Sequence, residues 1–284
     1  MIDVAMPFGE SWPALGLGTW RMGESAQSRG AEVAAVRLAL DIGYRLFDTA
    51  EMYGEGGAEE VLGEALAAAL RTGSVRREEV YIVSKVYPHN ASRVGVVDAC
   101  ARSLARLQLE HIDLYLLHWR GAHPLSATLA GFQELQRRNL IRHWGVSNFD
   151  TDDMRELAAL PGGALCAANQ VCYSLHERGI EFDLLPWQRQ HAVPAMAYCP
   201  IAQGELATDP ILLGIGARHA TSAAQVALAW VLSRPGVMAI PKAVREPHLR
   251  DNWASAALQL TAQDLAELDR AFAAPQRKRP LAMV

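Results

Sequence analysis

Lysine is scarce in this chain: only Lys85, Lys242 and Lys278 contribute to its 27 basic residues, and the rest are arginine. Cysteine is also sparse. Cys100, Cys166, Cys172 and Cys199 show neither metal-finger spacing nor the density of a secreted disulfide scaffold, so reduced thiols in a cytoplasmic protein are expected. No apolar run reaches transmembrane length, which argues against a membrane protein. The start, Met1-Ile2-Asp3-Val4, lacks a basic region followed by an apolar stretch, so no signal peptide is expected. A net charge of −4 offers no basic field for nucleic acid, and the cluster Arg277-Lys278-Arg279 reads as a solvated segment. The dinucleotide fingerprint G-x-G-x-x-G is missing, because Gly16-Leu17-Gly18-Thr19-Trp20 carries only its first two glycines. No Pro/Gly/Ser-rich linker divides the 284 residues, so a single domain over 1–284 is expected.

What is present is an alternation. Short apolar runs recur at 15–19, 44–48, 80–84, 112–118, 141–147, 167–172, 192–198 and 237–240. Helical patterns lie between them at 31–41, 59–70, 93–107, 125–138, 152–160, 179–190 and 221–233. Asp150 to Asp153 supply N-cap candidates, Thr261 and Asp264 open a last helix as a capping box, and Pro247 sits early in the helix before it. Repeated strand–helix units imply a parallel sheet. Eight of them in this length predict a closed (β/α)₈ TIM barrel, preceded by a hairpin around Gly9. The runner-up, an open doubly wound sheet, lacks its glycine fingerprint.

A parallel barrel gathers chemistry at the carboxyl ends of its strands. Those ends carry Asp48 and Tyr53, Lys85, His118, Ser147 and Asn148, Gln170, Tyr198 and Lys242. A phenol is a poor acid at neutral pH, but a nearby ammonium stabilises phenolate and is expected to lower its pKa. A buried ammonium needs a counter-charge, which Asp48 supplies. A histidine beside the phenol can orient a carbonyl oxygen. The set suits protonation of an oxygen whose carbon receives hydride, and this requires a reduced nicotinamide or flavin. Taken singly, each residue has a plainer reading: a capping aspartate, a packed tyrosine, a surface lysine, a structural histidine. Four fitting types at four strand ends make the joint coincidence rare.

The stretches "GYRLFDTAEMYG", "SKV", "DLYLLHW", "GVSNF", "NQVCYS", "AYCPIAQG" and "IPKAVREPHLRDN" resemble, in order, the landmarks of the aldo-keto reductases. The resemblance implies a TIM barrel closed at the bottom by a hairpin and an NAD(P)H-dependent carbonyl reductase. It also implies a catalytic tetrad of Asp48, Tyr53, Lys85 and His118, with Tyr53 as proton donor. By the same resemblance Ser147, Asn148 and Gln170 hold the nicotinamide carboxamide, and Tyr198 stacks on the ring. Gly18, Thr19, Trp20 and Asp48 border the ribose. Cys199, Pro200, Ile201, Gln203, Gly204 and Leu206 belong to the pyrophosphate loop. Lys242, Ala243, Val244, His248, Asp251 and Asn252 grip the 2′-phosphate and adenine.

Three positions depart from the pattern. Cys199 stands for a frequent Ser, Ala243 for another, and His248 for an Arg of NADPH-selective relatives. Trp20, Trp119 and Tyr87 are candidate substrate walls beside Tyr53 and His118. The short segment after His118 and the short tail beyond Phe272 predict an open pocket for small aldehydes, dicarbonyls or sugar-derived carbonyls, and a monomer without metal is expected. Rival readings are a non-catalytic nicotinamide-binding regulator of the same fold and a metal-dependent barrel hydrolase. The latter lacks any His/carboxylate cluster of ligand spacing. Lys242 offers a point charge for a 2′-phosphate, so NADPH is expected to be preferred, with NADH as the alternative. Lys242→Ala should therefore weaken NADPH by roughly tenfold and leave NADH nearly unchanged, as read by fluorescence titration; equal losses would discard the contact.

Overall fold

A computed structural model describes residues 2–283. The chain opens with an antiparallel hairpin, β1 (Asp3–Ala5) on β2 (Ser11–Pro13), turned at Gly9 with φ +80°. Trp12 of β2 is fully buried, and its indole N–H donates to Glu10 at 2.9 Å. Glu10 also meets His143 at 3.2 Å, while Phe8 stacks on the same ring at 4.5 Å. His143 lies near the start of its strand, so the hairpin seals the amino-terminal end of the sheet.

All eight expected strands form one parallel sheet in chain order: β3 (Leu17–Gly18), β4 (Leu46–Asp48), β5 (Tyr81–Val86), β6 (Ile112–Leu117), β7 (Ile141–Ser147), β8 (Asn169–Cys172), β9 (Ala195–Tyr198) and β10 (Val237–Ala239). The sheet closes on itself. Parallel bridges join Leu15 to Ala239 and Gly18 to Lys242, and the Gly18 amide donates to Pro241 O at 3.1 Å. Helices cover the outer face, so strands such as β6 are buried along their whole length.

Local chemistry sets the helix starts. Ser92 caps α3 (Arg93–Leu107) by accepting from the Gly95 amide, and Asp150 caps α5 (Thr151–Ala159) in a reciprocal box with Asp153. The expected helix over 179–190 is instead a 3₁₀ turn (Gly179–Glu181) followed by α6 (Leu184–Gln190). Asp183 leaves helical geometry at ψ −38°, φ −140°, and Pro186 is confined to the first turn that follows. One helix was missing from the sequence reading: α7 (Pro210–Arg218), capped by Asp209 with Pro210 at its first position. The remaining helices are α1 (Ala26–Ile42), α2 (Gly57–Thr72), α4 (Leu125–Arg137), α8 (Ala223–Leu232), α9 (Glu246–Ser255) and α10 (Ala262–Ala271). No helix among the described residues is long and apolar enough to cross a membrane.

Closure depends on close approach at Gly18, where an added Cβ would lie 2.7 Å from the carbonyl oxygen of Ile240. Backbone cannot yield there without opening the seam. Gly18→Ala should destabilise the fold by about 1–3 kcal/mol in denaturant titration, and an unchanged midpoint would show that the seam is looser than drawn.

Candidate active site

Parallel register places Asp48, the last residue of β4, beside Gly18 of β3 and Val83 of β5. Lys85 lies two residues beyond Val83 on the same inward face. The chain after β4 turns through Thr49 and Ala50 into a 3₁₀ turn, Tyr53–Gly56, which carries the phenol back over the strand ends. His118 follows β6 directly.

These placements converge on one nitrogen. Lys85 Nζ donates to both Asp48 oxygens and to Thr49 O, each at 2.8 Å, and lies 3.1 Å from the Tyr53 hydroxyl. Gln170 Nε2 donates to Asp48 Oδ1 at 2.7 Å. Lys85 is fully buried and Asp48 nearly so. Burial drives both partners towards neutrality, lowering the lysine pKa and raising that of the aspartate, while each opposes the shift in the other. Four oxygen atoms around Nζ and an amide donor on the carboxylate are the surroundings of an ionised pair.

The expected lowering of the phenol pKa is not found. Burial first, and then the Asp48 charge, push Tyr53 well above the usual phenol range. The ammonium is already matched by Asp48, so its pull on the phenol is spent in part on its neighbour. Tyr53 is a neutral O–H at physiological pH, the form a proton donor requires, with Lys85 placed to stabilise the phenolate that donation leaves. Burial, with the Lys85 charge second, holds His118 well below the ordinary histidine range. Its ring is a neutral imidazole, edge-on to Tyr53 at 5.8 Å, with Nδ1 buried and unpartnered among the described residues.

A cavity of about 690 Å³ opens from this group, the size of a small-molecule or cofactor site. Gly18, Trp20, Asp48, Tyr53, His118 and Trp119 line one part of it. Ser147, Asn148, Gln170 and Tyr198 line the middle, and Cys199, Pro200, Ile201, Gln203 and Gly204 continue it. Lys242, His248, Asp251 and Asn252 complete the far end. Six expected residues do not line it. Lys85 is fully buried and meets the cavity through Asp48 and Tyr53. Thr19 is buried behind the wall and holds Asp48 O through its hydroxyl at 3.0 Å. Leu206 and Ala243 pack in the core, and Val244 packs against it. Tyr87 stands behind the wall, edge-on to Trp119 at 5.7 Å.

The short tail beyond Phe272 reaches the cavity. The tail folds back: Lys278 Nζ meets Asp152 at 2.8 Å, the Tyr198 hydroxyl contacts Ala282 O at 3.4 Å, and Met283 lines the cavity. Arg21, Met52 and Met283 are lining residues that sequence reasoning missed. Arg245 stands beside the far end, where its guanidinium donates to His248 Nε2 at 2.6 Å. The spacing Arg245 to His248 at the start of α9 was the available signal.

The donor set fits a nicotinamide dinucleotide. Asn148 Nδ2 donates to Ser147 Oγ and His118 O, both at 3.1 Å, and its Oδ1 accepts from Tyr198 at 2.8 Å. These side chains are oriented in advance, next to the neutral phenol. Lys242 is exposed at the opposite end, beside the Arg245–His248 pair. Left-handed backbone at Asn148, Cys199, Ala202 and Gln203 (φ +58°, +51°, +48° and +54°) shapes the loops between them.

A sequence profile described as the aldo/keto reductase family matches residues 14–273. This chain belongs to that family. It is 50% identical over 279 residues to the methylglyoxal reductase YeaE of Escherichia coli K12, covering 96% of each chain. It is 30% identical over 261 residues to the glyoxal reductase of Bacillus subtilis, covering 92% of this chain and 89% of that one. Among solved structures, an aldo-keto reductase from Klebsiella pneumoniae in complex with NADPH superposes with a TM-score of 0.94 at 46% identity over the whole of both chains. Membership makes the protein an oxidoreductase of carbonyl groups, and the non-catalytic alternative finds no support in these relatives.

The depressed pKa of His118 has a thermodynamic consequence. The unfolded imidazole takes up a proton near pH 6.5 while the folded one stays neutral, so the unfolded state binds more protons and stability falls as pH falls below that value. Relative to His118→Asn, the wild type should lose about 1–2 kcal/mol in urea titrations between pH 7 and pH 5. A difference that stays flat would mean that the folded ring is protonated.

Proposed function

We propose that this chain is an NADPH-dependent reductase of small dicarbonyls and aldehydes, methylglyoxal foremost, working as a single barrel unit, monomeric and cytoplasmic. One observation carries the reading. The Tyr53 hydroxyl, kept neutral by burial and the Asp48 charge, lies 3.1 Å from a buried ammonium and faces the cavity beside a neutral His118. A relative 50% identical over 279 residues, a methylglyoxal reductase, supports the substrate class. All four residues come from strands of one sheet or the turns that follow them, within one chain, which supports a site needing no second copy. Four free cysteines suit a reducing compartment.

Ser147, Asn148 and Gln170 would hold the nicotinamide end, Tyr198 would flank it, and Lys242 with Arg245 would face the 2′-phosphate. When bound, the dihydronicotinamide supplies hydride to the carbonyl carbon. His118 presents its ring to the carbonyl oxygen and orients it. Tyr53 gives that oxygen its proton, and Lys85 stabilises the phenolate as it forms. Asp48 keeps Lys85 charged throughout, and Gln170 and Lys85 together fix the carboxylate. Trp20 and Trp119 form the walls against which a small apolar substituent packs.

Tyr53→Phe should lower kcat for methylglyoxal by at least about a hundredfold, followed by NADPH absorbance, with the Kd for NADPH within about twofold of wild type. Retained turnover would sink the assignment of the proton donor. A wild-type chain that oxidises no NADPH with methylglyoxal, glyoxal or 4-nitrobenzaldehyde would sink the reading of the site.

A further inference from the structure

On the outer side of the barrel wall, behind Lys85, lies a fully buried carboxylate that the chemistry above leaves without a role. Glu59 occupies the first turn of α2. Its Oε1 accepts from Ser84 Oγ at 2.6 Å, and its Oε2 accepts from Arg106 Nε at 2.6 Å. Ser84 immediately precedes Lys85 on β5, and successive strand residues point to opposite faces. Ser84 therefore reaches outward to α2 while Lys85 reaches inward to Asp48 and Tyr53.

The same carboxylate bears on the loop that carries Tyr53. After the phenol the backbone makes three left-handed residues in a row, Gly54, Glu55 and Gly56, with φ of +56°, +53° and +95°. Glu55 has no glycine's freedom there, so the run persists only if its surroundings hold it. It is held from two sides. Gly23 and Gly57 approach so closely that a Cβ on Gly23 would lie 2.1 Å from Gly57 C, and the Gly23 amide is fixed by Glu32 at 2.8 Å. On the other side the Arg106 guanidinium covers Gly56, where a Cβ would lie 2.5 Å from Nε. Arg106 comes from α3 and is kept in place by Glu59.

We propose that Glu59 is a positioning residue for the proton donor: by binding Ser84 and Arg106 it fixes both the strand that carries Lys85 and the loop that carries Tyr53. This rests on Tyr53 being the donor. Glu59 faces Arg106 and Cys100 of α3 and Tyr115 of β6, and its charge also favours the ammonium form of Lys85. Lys85 in turn faces Asp48, Tyr53 and His118 inside the barrel. A carboxylate that served packing alone could lose its charge without effect on Lys85.

The rarity of lysine makes a direct test possible. With [ε-¹³C]lysine the chain gives signals only from Lys85, Lys242 and Lys278, and Lys85→Met identifies the first. In Glu59→Gln the titration of the Lys85 signal should move to lower pH, and kcat for methylglyoxal should fall about tenfold with the Kd for NADPH unchanged. Ser84→Ala keeps the charge and loosens only the tether. It should leave the lysine titration in place and lower kcat about threefold. A folded Glu59→Gln with wild-type titration and kcat overturns the proposal. If that variant does not fold, Ser84→Ala decides, and an unchanged kcat overturns it. Inactivity of the wild type towards every carbonyl would instead overturn the donor reading, leaving the titration to decide whether Glu59 acts on Lys85.

Discussion

A buried ammonium is the constraint around which the top of this barrel is arranged. Lys85 has no exposure, and an uncompensated charge there would neutralise or unfold its surroundings. Asp48 answers it through both oxygens, Thr49 through its carbonyl, and Gln170 restrains the carboxylate from β8. Removing one member of such a buried pair typically costs 3–5 kcal/mol, roughly a third of a domain's stability or more. Three strands are thereby tied together at their carboxyl ends, and the phenol is set against a charge that cannot move away. Stability and chemistry use the same contacts here.

The electrostatic outcome differs from simple pairing of phenol with ammonium. Asp48 is needed to keep Lys85 charged, yet its own charge opposes the phenolate, so Tyr53 rests as a neutral acid. In the proposed reaction, proton loss would become favourable only as an oxygen nearby gains negative charge. On that reading the arrangement favours the transition state over the resting state, which is how a preorganised site lowers a barrier. His118 follows the same logic: burial and the ammonium keep it neutral, so in the proposed reaction it would orient an oxygen without competing to protonate it.

The alternating apolar runs made the barrel legible because a parallel sheet buried on both faces leaves continuous hydrophobic strands, and eight of them in series admit few architectures. Asp48, Lys85, His118 and Gln170 stood out for a related reason: each alone has a plainer reading, but barrel closure brings the ends of their four strands together. Residues reached through loops were harder. Met283 and Ala282 meet the cavity only because the tail doubles back, held by Lys278 against Asp152, a contact spanning more than a hundred residues that no local pattern encodes. Leu206, Ala243 and Val244 lie in stretches resembling cofactor segments, yet their side chains turn into the core. Segment-level similarity does not determine which way each residue faces. Helix α7 was missed although Asp209-Pro210 is a start signal, because its apolar residues are too evenly spread to show a face.

Burial of a carboxylate beside a cation does not by itself mark a site, as Asp113 shows. It is as buried as Asp48 and is paired with Arg77 at 2.7 Å, but it lies near the start of β6, at the end sealed by the hairpin. There the Ile82 amide, Arg77 and His111 outweigh burial and hold Asp113 below the usual carboxylate range. Asp48 has no backbone amide to help it and is carried above that range instead. Asp113 Oδ2 accepts from the Ile82 amide and from Arg77 at the bottom of the barrel, and its Oδ1 has no hydrogen bond among the described residues. Asp48 accepts from Lys85 on both oxygens and from Gln170, and it lines the cavity itself. Completeness of pairing therefore does not separate the two carboxylates; the direction of the strands does, because it decides which end of the barrel has room for a cavity.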